Sequence, residues 1–297
     1  LGNAGWGLVL VALFHLLPLI LDAIAICVLF DTEYSRASLR DALLARWVGE
    51  SANSLMPAGQ IGGPVLMARY LAQRARRLSE AAAVVTVSTT LQTFAQIVFA
   101  LIGVALLGAQ GVASQHATRT SALIASGFLA VQVGGFYFIQ RRGFFGKLTR
   151  AVTRFSSNRD WAQFMSQADA IDLAVRRIYR RNRPVTLSFI CSLAGWLAGS
   201  GEVYLIARLI GTPLSWNESL LLESLGQAIR GAGFAIPGAL GVQEGGYLLL
   251  GPLVGMPPSA ALALSLAKRT RELLLGLPGL LYMHLAARAA TRMPPVT

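Results

Sequence analysis

Apolar residues run through this chain in long blocks rather than in strict alternation, which predicts helices and not strands. Crossing a ~30 Å hydrocarbon core takes about 20 helical residues. Five stretches reach that length: 6–30, 81–108, 121–139, 185–210 and 258–286. Two more, 38–77 and 216–255, are apolar but interrupted, by SLMPAGQIGGP (54–64) and FAIPGALGVQEGG (234–246). A run that descends, breaks at Pro-Gly and returns predicts a re-entrant hairpin. Irregular backbone is tolerated at membrane depth only inside protein or along a polar cavity.

Composition sharpens this picture. Residues are 54% hydrophobic and 13% charged, against about 25% charged in an ordinary soluble domain. Mean hydropathy is +0.56. So few charges exclude a water-soluble globule of this size, and so apolar a chain excludes disorder. The fold class that remains is all-α, a polytopic membrane protein. The 30 glycines suit it, because small residues let membrane helices approach closely. Cys27 and Cys191 both fall inside apolar runs and read as small buried hydrophobes without a disulfide framework.

A net charge of +12 raises the question of nucleic acid, and the distribution of the cations answers it. Lys and Arg are absent from 1–35, dense in 36–80, nearly absent from 81–139, dense again in 140–183 and sparse through 184–267. This banding between apolar runs is the positive-inside pattern of a membrane protein, so no nucleic acid is expected. It places 31–46, 69–80 and 140–183 in the cytoplasm, 109–118 and 211–218 outside, the N-terminus outside and the C-terminus inside. The chain begins at Leu1, and an upstream helix would leave these assignments unchanged. Within the basic stretch, Trp161, Phe164, Ala168, Ile171, Val175 and Ile178 recur at three and four. They predict an amphipathic helix at the cytoplasmic membrane surface, attracted to anionic headgroups and serving as a structural tether in preference to a specific regulatory site.

An offset of 180 aligns Pro57 with Pro237, Asp22 with Glu202 and Glu50 with Arg230. Within one transmembrane domain, 1–297, this predicts repeat 1 at 6–108 and repeat 2 at 184–287, each with a broken-helix hairpin, at Pro57 and at Pro237. The intervening 109–183 holds a connecting helix and the basic segment. One helix between the halves gives them opposite topology, the inverted-repeat plan of transporters whose substrate sites lie at the repeat interface. Both hairpins open on capping-box-like signals, Ser38-x-x-Asp41 and Ser215-x-x-Glu218.

The stretch ARWVGESANSLMPAGQIGGPVLMARYLAQR (45–74) resembles the signature of the flippase-like transmembrane domain of lysylphosphatidylglycerol synthases. AIPGALGVQEGGYLLLG (235–251) is similar to the same family's C-terminal segment. Within the family the chain looks closest to the hopanoid-biosynthesis-associated HpnL-type membrane proteins. The resemblance implies a bacterial inner-membrane protein that moves a phospho- or hopanoid-type lipid between leaflets. Where family members often carry an acidic residue after the Gly-Gly pair, this chain has Pro64. Residues after 287 are too few for the soluble aminoacyl-transferase domain of the bifunctional synthases, so aminoacyl transfer is not expected of this chain. Two other readings stand beside transport: a subunit of a headgroup-modifying transferase, and a non-catalytic scaffold for hopanoid or envelope-lipid assembly.

Ionisable side chains within a bilayer cost ~2.5–3.5 kcal/mol each on insertion scales, so they face a cavity or a partner. Lys268, Arg269, Arg271 and Glu272 form the densest cluster, with Glu272 spaced to pair with Lys268 and Arg269. Two positive charges then remain, a surplus suited to a lipid phosphate. Glu50 and Arg230 hold equivalent places and suggest a salt bridge between the halves or a gate. Glu244 is placed to neutralise Arg230 or Arg271. Asn53 and Gln60 supply uncharged groups to the first break, and Gln92 and Gln96 supply them on 81–108. The expected substrate-binding set is Glu50, Asn53, Gln60, Arg230, Glu244, Lys268, Arg269, Arg271 and Glu272. Asp22 and Glu202 read either as carriers of coupling protons or as satisfied interior carboxylates. His15, His116 and His284 share no ligand spacing, so no metal is expected. Gly143-Phe-Phe-Gly146-Lys147 lacks the spacing of a phosphate loop, and neither an ATPase nor any other enzyme activity is expected.

Overall fold

The computed structural model describes residues 5–30, 37–56, 62–73, 78–109, 161–233 and 236–291. Pro57, Gln60 and the expected span 121–139 lie outside these residues. Among the described residues every regular element is a helix. The elements are α1 (Gly5–Phe14), α2 (Leu16–Cys27), α3 (Leu39–Leu55), α4 (Gly62–Ala72), α5 (Leu78–Ala109), α6 (Trp161–Tyr179), α7 (Asn182–Leu209), α8 (Trp216–Ala232), α9 (Val242–Leu250) and α10 (Pro258–Thr291). Gly5–Cys27, Leu78–Gly108 and Asn182–Leu209 are each long and apolar enough to cross a membrane.

The expected run 258–286 forms α10, whose 34 residues extend roughly 50 Å at 1.5 Å per residue. Its surface is sorted by depth of burial. Leu262, Leu266, Leu273, Leu277, Leu281 and Leu285 are exposed, while Leu264, Lys268, Arg271 and Glu272 are buried. A helix with leucine outside and charge inside suits hydrocarbon around the bundle and polar company within it. Trp6, 89% exposed, and Leu10, Leu13 and Leu17 extend the same apolar exterior over α1 and α2.

The second break takes the form expected of it. Chain leaving α8 passes through a 3₁₀ turn at Pro237–Ala239, where Gly238 has φ +59°, and re-enters helix at Val242. The two arms, α8 and α9, pack on each other, as do α3 and α4 on either side of 57–61. Helix α8 opens on a complete capping box: Ser215 Oγ accepts from the Glu218 N–H at 3.3 Å, and Glu218 Oε2 accepts from the Ser215 N–H at 2.7 Å. At α3 only half of the device forms. Ser38 Oγ accepts from the Asp41 N–H at 3.1 Å and donates to the Asp41 carboxylate, which therefore does not reach back to the backbone.

Apolar packing divides into two cores. One gathers α3, α4, the start of α5 and the end of α6 around Leu29, Leu71 and Val87. The other gathers the C-terminal part of α5 and α7 with α8, α9 and the start of α10 around Val203, Leu221 and Leu264. Between them the inward faces of α5 and α7 turn polar, with Thr89, Gln92, Thr93 and Gln96 on the first and Ser192 and Glu202 on the second. The fold thus places a polar belt between two apolar cores.

Helix α6 differs from the surface position expected of it. Its face carrying Ala168, Val175 and Ile178 is buried in the first core against α5, and Arg177 donates to Glu80 of α5 at 2.9 Å. Arg176 and Arg180 remain exposed on the opposite face. The apolar stripe satisfies a protein partner, which a single-sequence pattern does not distinguish from a membrane surface.

A candidate polar translocation site

The polar belt encloses a cavity of about 230 Å³. Helix α3 contributes Arg46, Glu50 and Asn53, spaced four and three apart and so on one face. Helix α8 contributes Glu223, Gln227 and Arg230 by the same spacing, and α10 contributes Lys268, Arg271 and Glu272. Asp22 on α2, Glu202 on α7 and His15, which links α1 to α2, complete the charged wall.

Charged groups in this wall are paired throughout. Arg46 donates to Asp22 at 2.9 Å, and Gln92 donates to the same oxygen at 2.7 Å. Lys268 Nζ donates to Glu223 at 2.7 Å and lies 3.9 Å from Glu202. Arg230 donates to Glu272 at 2.5 Å and to Gln243 at 2.8 Å. His15 joins two helices, with Nδ1 2.9 Å from Glu202 and Nε2 2.8 Å from Glu50. Arg271 reaches both ring nitrogens and also faces Glu202 at 3.3 Å, Glu272 at 3.5 Å and Glu50 at 3.7 Å. Burial raises the cost of leaving any of these charges alone, and each carboxylate has a cation within reach.

Six of the nine sequence-predicted residues line the cavity: Glu50, Asn53, Arg230, Lys268, Arg271 and Glu272. Asn53 also accepts the Gly63 N–H at 2.8 Å, capping the start of α4. Arg269 and Glu244 lie behind the second tip instead of in its wall. Arg269 donates to the carbonyls of Gly238 at 2.6 Å and Ala239 at 3.0 Å, and its remaining donors meet Glu244 and Glu272, each at 2.9 Å. Glu244 also accepts the Gly241 N–H at 2.7 Å, so this pair holds the shape of the turn. Gln60 lies outside the described residues.

Three expected pairings are corrected. Arg230 pairs with Glu272, and Glu50 with His15 and Arg271, where a Glu50–Arg230 bridge was expected. Glu244 neutralises Arg269, not Arg230 or Arg271. Glu272 pairs with Arg269 as its spacing predicts, but Lys268 turns to Glu223. The positive surplus expected of α10 is thereby cancelled by Glu202 and Glu223 from neighbouring helices. Sequence reasoning left His15, Arg46 and Glu223 out of the site. His15 and Glu223 carried a signal, each a polar residue among apolar neighbours, where a costly group implies a partner. Arg46 falls in the basic stretch 31–46, which its charge assigned to the cytoplasm, whereas the structure places this side chain in the cavity wall.

A family model described as the lysylphosphatidylglycerol synthase TM region matches residues 1–279. The chain belongs to this family. Searches among curated proteins and among solved structures return no match. As a member of the lysylphosphatidylglycerol synthase TM family, the protein is a membrane protein related to lipid modification or transport. In this family member Pro64 lines the cavity, where the resemblance places an acidic residue. The nearby carboxylates come instead from α2, α3, α7, α8 and α10.

Proposed function

We propose that the protein carries an amphipathic lipid, of phospholipid or hopanoid type, between the leaflets of the bacterial inner membrane. The headgroup passes through the polar cavity while the acyl or polycyclic tail stays in hydrocarbon. In this reading 6–108 and 184–287 are inverted repeats, the C-terminus is cytoplasmic, and the site lies where the two hairpins meet. Glu50, Asn53, Arg230, Lys268, Arg271 and Glu272 receive the headgroup, and Arg269 with Glu244 positions the second tip.

The observation that carries this reading is a cavity lined by both signs of charge between two apolar cores. A polar cavity of about 230 Å³ suits a headgroup, with the tails left in hydrocarbon. The second tip also approaches the end of α3 closely, since a Cβ added at Gly238 would lie 2.9 Å from the Ser54 carbonyl oxygen. A contact of this kind between two broken helices gives the cavity a wall that small shifts can open.

The test is leaflet-resolved movement of a fluorescent phosphatidylglycerol in phosphatidylcholine vesicles containing the purified protein. Arg230→Gln with Arg271→Gln is expected to abolish movement, and Arg183→Gln, on the exposed first turn of α7, to leave it intact. Wild-type vesicles no faster than protein-free ones, or a double variant as fast as wild type, would defeat the translocation reading and favour the scaffold.

A further inference from the structure

The contacts around His15 cannot all be made in one protonation state. Carboxylates accept and guanidinium groups donate, while a neutral imidazole offers one N–H and one lone pair. Each ring nitrogen of His15 faces a carboxylate oxygen, from Glu202 on α7 or Glu50 on α3, and each also faces Arg271 Nη1 on α10. A neutral ring donates to one carboxylate and accepts from Arg271. A protonated ring donates to both carboxylates and has no lone pair left for Arg271.

We infer that His15 is a proton-binding site that controls whether Arg271 is free to bind a phosphate-bearing headgroup. Protonation draws the ring between Glu50 and Glu202 and releases the guanidinium toward the cavity that both residues line. Apart from the ring, Arg271 is held by charge at longer range, with Glu202 at 3.3 Å, Glu272 at 3.5 Å and Glu50 at 3.7 Å. Its Nε and Glu202 Oε1 are buried with no hydrogen-bond partner, although they lie 3.3 Å apart. The planar fork of a released arginine matches two phosphate oxygens.

Charge balance in the wall leads to the same residue. The cavity is lined by five carboxylates (Asp22, Glu50, Glu202, Glu223, Glu272) and four fixed cations (Arg46, Arg230, Lys268, Arg271). Asp22 is engaged by Arg46, and Glu223 by Lys268, and the carboxylates that hydrogen-bond the ring are Glu202 and Glu50. Helix α1 carries no ionisable side chain, and on α5 Glu80 is held by Arg177. His15 is the lining group whose ordinary titration falls between pH 5 and 8. Its proton brings the wall to neutrality. A singly charged phosphodiester entering with that proton leaves the total charge of the site as it was in the empty, deprotonated state. Proton and anion therefore enter together, and their joint movement is electroneutral.

This inference rests on the translocation reading, and two measurements separate their failures. The first is proton uptake when dioctanoyl phosphatidylglycerol is titrated into the detergent-purified protein in weak buffer with a pH indicator dye, starting above the histidine range. One proton per lipid bound is expected for wild type and none for H15Q, whose amide keeps one donor and one acceptor without a titration. No binding, or binding without proton uptake, overturns the inference. The second is movement of the fluorescent phosphatidylglycerol in vesicles. Wild type is expected to lose affinity for the probe by up to tenfold per pH unit above the histidine range. It is also expected to respond to an imposed pH gradient and not to a potassium diffusion potential. H15Q is expected to show a flat pH profile. An H15Q profile as steep as that of wild type overturns the proton site and leaves translocation standing. Proton-linked binding without movement defeats translocation and leaves the site. Should H15Q fail to accumulate in the membrane, wild-type proton uptake decides the matter alone.

Discussion

The Nζ of Lys268 on α10 sits 2.7 Å from the carboxylate of Glu223 on α8, and neither side chain is more than 3% exposed. The same carboxylate oxygen accepts the Tyr247 hydroxyl at 2.9 Å, which fixes α9 to the pair. Two charges this deep stabilise the bundle only together. Lys268→Met strands Glu223 and is expected to cost about 3–5 kcal/mol. Lys268→Met with Glu223→Gln keeps an acceptor for Tyr247 and is expected to recover most of that loss. Thermal unfolding in detergent, followed by tryptophan fluorescence, checks both. A double variant no more stable than the single one would show that packing, not charge, holds Lys268.

Gly238 and Gly241 separate backbone strain from tip contact. Both have positive φ, +59° and +80°. A Cβ at Gly241 meets nothing within 4 Å, whereas at Gly238 it meets the Ser54 carbonyl at 2.9 Å. Gly241→Ala is expected to cost about 1 kcal/mol from strain alone and to retain lipid movement. Gly238→Ala adds the clash between the hairpins and is expected to lose movement while still inserting. Equal transport by the two variants would remove the tip contact from the mechanism.

Arg269 secures the second turn through its fork. Arg269→Lys keeps the charge and loses simultaneous contact with the Gly238 and Ala239 carbonyls. Amide exchange in 236–241 is expected to quicken roughly tenfold, the equivalent of one charge-assisted hydrogen bond at about 1.5 kcal/mol. Mass-spectrometric exchange on the purified protein reads this directly. Unchanged protection there would mean that the turn is self-supporting.

Topology is checked at the two ends of α7. With Cys27 and Cys191 replaced by alanine, a cysteine at Trp216, half exposed at the start of α8, is expected to react with an impermeant maleimide from outside the cell. A cysteine at Arg180, exposed just before α7, is expected to react only after the membrane is opened. Labelling of both from the same side would contradict a crossing by Asn182–Leu209 and with it the opposite sense of the two halves.

Much of this architecture is legible residue by residue. A span such as 81–108 announces itself by unbroken apolarity, the break at Pro237 by two helix-breaking residues together, and the start of α8 by Ser215 and Glu218 at capping distance. Five charged cavity residues, Glu50, Arg230, Lys268, Arg271 and Glu272, were legible for a related reason, since a charge buried in a membrane domain has to face a partner. Partnership was not legible. His15 meets a carboxylate 187 residues away, and Lys268 meets Glu223 across 45. No local spacing encodes such pairings. The offset that set Glu50 opposite Arg230 gave a symmetry of positions, while the side chains settled their contacts by reach and depth.

The ion pairs that tie early helices to α10 also set an order on how the protein is made. His15 and Arg271 stand 256 residues apart in the chain. At 5–20 residues per second, translation leaves an interval of roughly 13–50 s between their syntheses. Through most of that interval Glu50, and Glu202 once it is made, have no guanidinium from α10, so the early helices enter the bilayer with charges that want water. The first hairpin is therefore expected to linger at the insertion machinery or the membrane interface and to sink to its final depth only when α10 arrives. Assembly of the bundle is then a single late event, and a ribosome stalled before residue 271 holds a chain that the membrane has accepted only in part.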